Sequence, residues 1–330
     1  MNINKKNLLG EMLEHLDQHL DQFKCDDVIG ISLNGGLSRG YGDHLSEVDV
    51  TIYYSDLGYR KFEKGLIDIK EGICVIDQQF YDVKIVNFEK ESIVASIYTE
   101  LWDLSHAKVL YDPSGQLRKL LSKRLKREVT YRDTNAPMFS AWWYFKLACD
   151  IWLYRENYYQ GHFMLNEGSK KILEAIYLAN KSYVPHEKWL VHNLYTLEWL
   201  PMSEQVLVSN LLGTSNFSLS SLKTRQKFFV DMYEMIDRKI HEVFELSTDL
   251  EVSKLPYYEM LTDMIKYGEF TIEEFDEKYG LKLMHSEPFA SLLTIEGNRI
   301  FIDLDKVEHI GPNEMYKWHY DVVTAVRKNR

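Results

Sequence analysis

The stretch of sequence that decides the fold runs Leu33-Asn34-Gly35-Gly36-Leu37-Ser38-Arg39-Gly40-Tyr41-Gly42-Asp43-His44-Leu45-Ser46-Glu47-Val48-Asp49-Val50. A short apolar run, residues 28–33, leads into it and is typical of a buried strand that stops at the glycine pair. Gly35 and Gly36 have no Cβ atoms, so the backbone there can approach a ligand closely. A short helix is expected to follow, and its first amides would suit a phosphate group.

Two carboxylates close this stretch at the start of a second predicted strand, residues 48–54. Glu47 and Asp49 are two residues apart, so their side chains point to the same face of the strand. Acids placed in this way repel each other and raise their own pKa values unless a cation lies between them. Hard oxygen ligands on one face suit Mg²⁺ bridged to substrate phosphates, and two such ions can hold the attacking and leaving oxygens of a displacement.

A third carboxylate is expected on a neighbouring strand. Asp82, within the strand predicted for residues 81–88, is the best candidate. Asp77 is the second choice, because it lies where a hairpin formed with residues 73–76 would turn. The alternative interpretation of Asp82 is a solvent-exposed carboxylate that pairs with Lys84.

This combination of a glycine pair, a spacer and an acidic-apolar-acidic-apolar pattern resembles the signature of the polymerase-beta-like nucleotidyltransferase superfamily. Ser38-Arg39-Gly40 and Ser46-Glu47-Val48-Asp49 resemble the bacterial antibiotic nucleotidyltransferase branch and its uncharacterised relatives with a helical C-terminal half. The resemblance implies a palm-like mixed-sheet domain, Mg²⁺ and a nucleoside triphosphate. It also implies transfer of a nucleotidyl group, often AMP from ATP, to a hydroxyl.

The resemblance also assigns roles by position. Gly35, Gly36 and Ser38 would hold the phosphates. The catalytic and metal-binding residues would be the three acids, Glu47, Asp49 and Asp82.

Two departures from the family pattern stand out. Gly36 occupies the position of a common serine, so one hydroxyl contact to phosphate is missing or is supplied by Ser38. Glu47 stands where aspartate is usual, and its extra methylene would shift the geometry of a bound metal.

Two basic residues are candidates for nucleotide binding. Arg39 suits bidentate contact with a triphosphate, although a surface ion pair with Asp43 or Glu47 is an equal alternative. Lys188, beside Trp189, would bind phosphate or stack on a base. Its alternative is a helix that starts after a proline, with Trp189 in the core. His44 is expected to be an exposed loop residue.

The order of the predicted elements indicates an α+β fold in three parts. A nucleotidyltransferase-type mixed-sheet domain would occupy residues 1–125, a helical acceptor-binding bundle residues 126–248, and a small mixed element residues 249–330. Within the first part we expect a helix at residues 3–24 and a short helix at residues 58–66.

Helical periodicity dominates from residue 89 to about residue 246. Breaks are expected near residues 112–115, residues 135–137, Pro185 and Pro201. The last part should contain a helix start capped by Thr271 with Glu274, a hairpin of residues 292–295 and 299–302, and a helix at residues 312–327.

The helical part would supply the acceptor pocket and a general base. The candidates for this base, each with a solvated helix position as its alternative, are Asp150, Glu167 and Glu174. The aromatic runs at residues 142–144 and 158–159 are expected in the bundle core, with a lining for an aromatic or sugar-like substrate as the alternative.

Composition limits the classes of function. The formal net charge is −11, which argues against an extended nucleic-acid partner because such proteins need broad positive surface. Three cysteines without metal-type spacing favour a reducing, cytoplasmic compartment, and no apolar stretch reaches the length of a membrane span.

We therefore expect a Mg²⁺-dependent enzyme that transfers a nucleoside monophosphate to a hydroxyl of a small molecule and releases pyrophosphate. One alternative is nucleotidylation of protein or RNA, of which RNA is disfavoured by the charge. Another is a non-catalytic nucleotide-binding regulator, in which Gly36 and Glu47 would be signs of drift. The acceptor, the nucleobase and the oligomeric state stay open.

Overall fold

The computed structural model describes residues 7–93, 97–214, 216–280 and 289–329. The chain divides into two compact units. The first unit comprises Met1–Glu128 and Tyr183–Trp189, and the second comprises Val129–Ser182 and Leu190–Arg330. None of the helices formed by the described residues is long and apolar enough to cross a membrane.

The first unit is built on a five-stranded mixed sheet with the strand order β3-β4-β2-β1-β5. β2 and β4 are parallel, and the other neighbouring pairs are antiparallel. The strands are β1 (Val28–Leu33), β2 (Val48–Tyr54), β3 (Gly72–Ile76), β4 (Gln79–Asn87) and β5 (Lys108–Tyr111). The predicted mixed-sheet domain is thus confirmed, and β1 and β2 have the predicted bounds.

Apolar and charged residues alternate along the middle of β4, which shows why the sheet has one buried and one polar face. Tyr81, Val83 and Ile85 are buried in a core with α1 (Leu9–His19) and α3 (Asp56–Glu63). Asp82 and Lys84 fall between these apolar residues and therefore point to the opposite face.

Two predictions for the first unit need correction. β5 lies in a region expected to be helical; it has four residues at the sheet edge, too few for a period-two pattern to emerge. The helix predicted for residues 3–24 is an α-helix only over Leu9–His19, followed by a 3₁₀ turn, Leu20–Phe23; its residues 3–6 lie outside the described residues.

The remaining helices of the first unit are short. The predicted helix at residues 58–66 is α3, which begins two residues earlier because the Ser55 side chain accepts a hydrogen bond from Gly58 N at 3.1 Å. The others are α2 (Gly35–Ser38), α4 (Phe88–Glu91), α5 (Tyr98–His106), α6 (Gln116–Arg124) and a 3₁₀ turn, Glu187–Trp189.

The second unit contains the expected helical bundle. Its helices are α7 (Tyr131–Trp142), α8 (Cys149–Tyr154), α9 (Tyr158–Ala179), α10 (Glu204–Leu212) and α11 (Leu219–Val243). The break expected at residues 135–137 is wrong, since Pro137 lies buried inside α7. Packing of this apolar stretch outweighs the single backbone hydrogen bond that proline removes.

The aromatic runs of the bundle are only partly in the core. Trp142 packs against a buried cluster, whereas Trp143 is 40 % exposed. Tyr159 is 70 % exposed and stacks on Phe217, with ring centroids 4.6 Å apart, so its predicted core position is wrong.

The last part of the chain has the predicted mixed character. A three-stranded sheet is formed by β6 (Glu269–Thr271), β7 (Leu293–Glu296) and β8 (Arg299–Ile302), and the helices are α12 (Leu255–Tyr267), α13 (Ile272–Tyr279), α14 (Leu304–His309) and α15 (Lys317–Lys328). The expected hairpin is present as β7 and β8. The capping box is confirmed: Thr271 Oγ1 accepts from Glu274 N at 3.1 Å, and Glu274 Oε2 accepts from Thr271 N at 2.8 Å.

This last part shares a core with the bundle instead of forming a unit of its own. The Trp318 ring lies 5.4 Å from Phe139 and 5.3 Å from Trp142, measured between centroids. The chain passes from the first unit to the second after Glu128 and returns to the first only over Tyr183–Trp189, so no division falls near residue 249, where the sequence suggested a third part. Composition could not reveal this, because the joining residues belong to distant segments.

Candidate active site

Three carboxylates meet on the polar face of the first sheet. Asp49 on β2 and Asp82 on β4 are register partners in adjacent parallel strands, and Glu47 immediately precedes β2. One oxygen from each side chain lies within 4.8 Å of the others. Oxygens at this spacing can surround a divalent cation. The structure thus brings together the acids that the sequence singled out.

Asp77, the second choice for the third acid, lies elsewhere. It occupies the turn between β3 and β4 with a φ of 44°, and its carboxylate pairs with His19 Nε2 at 3.0 Å. The other ring nitrogen of His19 contacts the Tyr81 hydroxyl at 2.9 Å. Asp77 therefore ties the hairpin to α1. Lys84 lines the same cleft as Asp82, and no ion pair joins the two among the described residues.

The electrostatics of the acids explain why a cation would be stabilising here. Burial is the largest cause that raises the pKa of Asp49, to about 6, and the charge of Glu47 adds to it. The charge of Lys188 acts in the opposite direction, Asp82 raises the pKa further and Arg39 lowers it. The ionised form of Asp49 is therefore disfavoured first by burial and then by the neighbouring acids, and a divalent ion bound among the carboxylates would stabilise it.

Gly35 is required by both space and backbone conformation. Its φ is +63°, and a Cβ atom there would lie 1.6 Å from Asp49 Oδ2. The two segments are also joined by a hydrogen bond from Asn34 N to the Asp49 carbonyl at 2.8 Å. The glycine thus lets the turn lie directly against the acid. At Gly36, by contrast, an added Cβ would meet its nearest neighbour, Tyr41 O, at 3.7 Å.

The hydroxyl of Ser38 is engaged within the same turn. Ser38 is buried, and its Oγ donates a hydrogen bond to the Gly35 carbonyl at 2.9 Å. The Ser38 hydroxyl proton, expected to contact phosphate, therefore stabilises the turn instead. The groups that the turn can offer a phosphate are its backbone amides.

A cleft of about 290 Å³ adjoins the acids, and all residues that line it belong to the first unit. Gly35, Arg39 and Lys188, which the sequence assigned to nucleotide binding, line it together with Asp49 and Asp82. The cleft has the size of a small ligand pocket. Four separate segments of the chain contribute these five residues.

Arg39 is held firmly in this cleft. Its side chain is 5 % exposed and pairs with Asp103, not with Asp43 or Glu47 as the sequence suggested. Proximity along the chain was misleading because α5 brings Asp103 in from a distant segment. The guanidinium lies 4.1 Å from the ring centroid of Trp102 and 5.2 Å from that of Trp189. Burial lowers the pKa of Arg39.

Lys188 lies in the 3₁₀ turn Glu187–Trp189, close enough to Asp49 to lower the pKa of that acid. The helix suggested as the alternative is present only as this three-residue turn after Pro185. Trp189 is half-buried and packs on Tyr41 and Trp102, with ring centroids 5.0 Å and 6.5 Å apart.

Several cleft residues carry no sequence signal. Arg124 on α6 is 10 % exposed, and its Nη1 lies 2.8 Å from Glu91 Oε2 and its Nη2 3.5 Å from Glu100 Oε2. Like Trp102 and Asp103, these residues lie on ordinary amphipathic helices. Only the tertiary structure brings them to the cleft.

The candidates for a general base belong to the second unit, and each pairs with a lysine of its own helical segment. Asp150 pairs with Lys146 at 2.9 Å, Glu167 with Lys170 at 3.9 Å and Glu174 with Lys171 at 2.7 Å. These pairs agree with the alternative of solvated helix positions. His44 is exposed, as expected.

No protein-family model matches the sequence, and no curated protein matches it. Among solved structures, the chain is similar to the crystal structure of a nucleotidyltransferase-like protein from Exiguobacterium sibiricum. The two chains are 10 % identical, and the comparison covers 89 % of this chain and 98 % of the other with a TM-score of 0.46. A likeness at this level does not identify a family.

Proposed function

We propose that this chain is a metal-dependent nucleotidyltransferase, which transfers a nucleoside monophosphate from ATP or another nucleoside triphosphate to a hydroxyl of a small molecule. The observation that carries the proposal is the group of three carboxylates, with ligand oxygens within 4.8 Å of one another. They lie beside a turn in which Gly35 has no room for a side chain.

The residues present fit Mg²⁺ as the cofactor. Glu47, Asp49 and Asp82 offer only hard oxygen ligands, which Mg²⁺ prefers over nitrogen or sulfur. Burial and then the charge of Glu47 raise the pKa of Asp49, and a bound cation would stabilise its ionised form. Two bound Mg²⁺ would neutralise triphosphate charge and make the acceptor hydroxyl a stronger nucleophile.

The remaining groups of the cleft would bind and orient the triphosphate. The turn at Gly35 presents backbone without side-chain obstruction, and Lys188 adds a positive charge close to the acids. Arg39 is held in place by Asp103 and by contact with the rings of Trp102 and Trp189, so little side-chain entropy would be lost when a phosphate binds.

The proposed reaction is an in-line displacement. An acceptor oxygen loses its proton to a base and forms a bond to the α-phosphorus. The bond between that phosphorus and the oxygen that bridges to the β-phosphate breaks, and pyrophosphate leaves on the opposite side.

The test is a Glu47→Gln, Asp49→Asn double variant, assayed for pyrophosphate release from ATP with Mg²⁺ and a panel of hydroxylated small molecules, aminoglycosides and lincosamides included. We expect the double variant to lose turnover by about a hundredfold or more. Asp77→Asn is the matched control, because this exposed carboxyl lies in the hairpin turn away from the cleft. Full Mg²⁺-dependent turnover by the double variant would contradict the assignment.

A non-catalytic nucleotide-binding regulator is the second candidate. Two features favour it. The Ser38 hydroxyl already donates a hydrogen bond to the Gly35 carbonyl, and Gly36 has no side chain that could contact a phosphate. Calorimetric titration with ATP, with and without Mg²⁺, separates the two. Metal-dependent binding without pyrophosphate release on any acceptor would favour the regulator.

A further inference from the structure

A second cavity, in the helical unit, has a composition unlike that of the cleft. It measures about 790 Å³ and is lined by residues from the end of α10, from the first half of α11, and by Gly213, Thr214 and Asn216 between the two helices. Most of its lining side chains carry hydroxyl or amide groups, among them Ser209, Asn210, Thr214, Ser220 and Thr224. Arg225 lines it as well and is 5 % exposed.

Arg225 has no acidic partner among the described residues. Its guanidinium donates hydrogen bonds to neutral acceptors: Asn166 Oδ1 at 2.7 Å, Thr214 Oγ1 at 3.3 Å and the Leu211 carbonyl. The buried Nε atom has no hydrogen-bond partner in the described part of the chain. A buried cation without a counter-ion is unfavourable, so an anion bound nearby would stabilise it.

The other titratable groups near Arg225 do not neutralise it. His162 faces the guanidinium and is 2 % exposed, and burial, and then the charge of Arg225, lower its pKa, which disfavours its charged form. At the rim, Lys227 and Asp231 form an ion pair at 3.0 Å and offset each other. The cavity is left with one uncompensated positive charge.

The hydroxyl of Thr214 contacts the Arg225 guanidinium, and because Thr214 lines the cavity it can pass on the polarising effect of that charge through hydrogen bonds. Its oxygen accepts a hydrogen bond from Arg225 Nη1, which leaves its own proton available to a further acceptor. A hydroxyl that accepts from a cation is a stronger donor, since neighbouring hydrogen bonds polarise one another. The 25-residue helix α11 begins at Leu219, and the positive end of its dipole favours an anion at the same place.

We propose that this cavity binds the phosphate group of a small molecule. The buried guanidinium supplies the charge, and the hydroxyls of Thr214 and Thr224 supply donors for the phosphate oxygens. The volume leaves room for an organic group attached to the phosphate. The site is independent of the proposed nucleotidyl transfer, and neither requires the other.

The test is calorimetric titration of the full chain, without divalent metal, with inorganic phosphate and separately with ribose 5-phosphate. We expect both to bind, and the Thr214→Val, Thr224→Val double variant to weaken binding by about tenfold or more. Both threonines lie at the cavity surface, so the variant should fold, whereas Arg225→Met risks the bundle. Lys188→Ala is the matched control for phosphate binding in the cleft and should leave these affinities unchanged.

Hydrogen exchange of the backbone amides locates the phosphate. Protection of peptides that span residues 209–225, with no change in peptides that span residues 35–49, supports the site. The proposal is overturned if neither probe binds at roughly 10 mM. It is also overturned if the threonine variant binds as tightly as the wild type, or if Lys188→Ala abolishes binding. Tighter binding of ribose 5-phosphate than of inorganic phosphate would identify a phosphate monoester as the ligand.

Discussion

Gly35 and Asp49 compete for the same space, and only the absence of a Cβ atom lets both lie where they do. Gly35 makes the backbone turn, and Asp49 brings its carboxylate against it. The raised pKa of Asp49 indicates that this arrangement is unfavourable for the isolated protein. Under the proposed function, the requirement for a carboxylate at this position therefore opposes stability.

Replacing Asp49 by Asn should separate these two effects. We expect Asp49→Asn to lose divalent-metal binding, because it removes an anionic ligand, and to raise the free energy of unfolding by about 1 kcal/mol at pH 7 after solvent screening is allowed for. Denaturant unfolding and Mn²⁺ titration would measure the two quantities. A variant that is less stable than the wild type without metal would contradict this account. Asp77→Asn serves as the control with unchanged metal binding.

The pKa of Asp49 also predicts how metal binding depends on pH. The proton must leave this carboxyl before metal binds, so apparent affinity should fall about tenfold per pH unit below pH 6 and level off above it. The folded state holds this proton up to about pH 6, whereas an aspartate in the unfolded chain, with its ordinary pKa of 3.8, does not. This group's stabilising contribution is therefore full below pH 3.8 and is lost as pH rises through 6. Metal affinity independent of pH between 5 and 7 would disagree with the predicted environment of Asp49.

Substitution of the two glycines should affect stability and ligand binding differently. Gly35→Ala should lower the free energy of unfolding by more than about 1 kcal/mol and abolish metal binding, since its Cβ would overlap Asp49 and its φ is positive. Gly36→Ser should change stability by less than about 0.5 kcal/mol, because the nearest atom to its Cβ is 3.7 Å away, and the new hydroxyl should strengthen nucleotide binding. Thermal unfolding and nucleotide titration check both. Equal effects of the two substitutions would contradict the geometry.

At the scale of elements, the parallel pairing of β2 with β4 brings Asp82 beside Asp49. The spacing of Glu47 and Asp49 could be read directly from the sequence, because period-two alternation is a local property. The choice between Asp77 and Asp82 also followed from local pattern, since one lies in a turn and the other within a strand. The partner of Arg39 could not be predicted, because Asp103 is brought in by α5 and nothing in either segment specifies the pairing.

The capping box of α13 offers a test of a purely local prediction. Thr271→Ala should lower the free energy of unfolding by about 1 kcal/mol, because the amide of Glu274 loses its acceptor. Glu274→Ala alone should have a comparable effect through the amide of Thr271. A double-mutant cycle measured by denaturant unfolding should show the two losses to be less than additive. Full additivity would mean that the two side chains act independently.

At the scale of the whole molecule, charge separates this chain from proteins that bind extended nucleic acid. The formal net charge is −11, and the basic residues of the cleft are balanced by acids such as Asp103. We expect that this protein does not slow the migration of a single-stranded RNA oligonucleotide in an electrophoretic shift assay at about 150 mM salt. A shift at micromolar protein that weakens steeply with added salt would indicate a basic surface and would favour an RNA acceptor.

The discontinuity of the first unit has a consequence for biosynthesis. The ribosome releases the chain from its N-terminus, so the glycine turn and all three acids emerge long before Lys188 and Trp189 are made. Until then, the nascent unit carries repelling carboxylates without the nearby lysine, and Arg39 lacks one of its two aromatic neighbours. Under the proposed function, a polypeptide that ends before residue 189 would therefore lack two of the residues that complete the cleft, and it would gain them only after the helices preceding that segment have been synthesised.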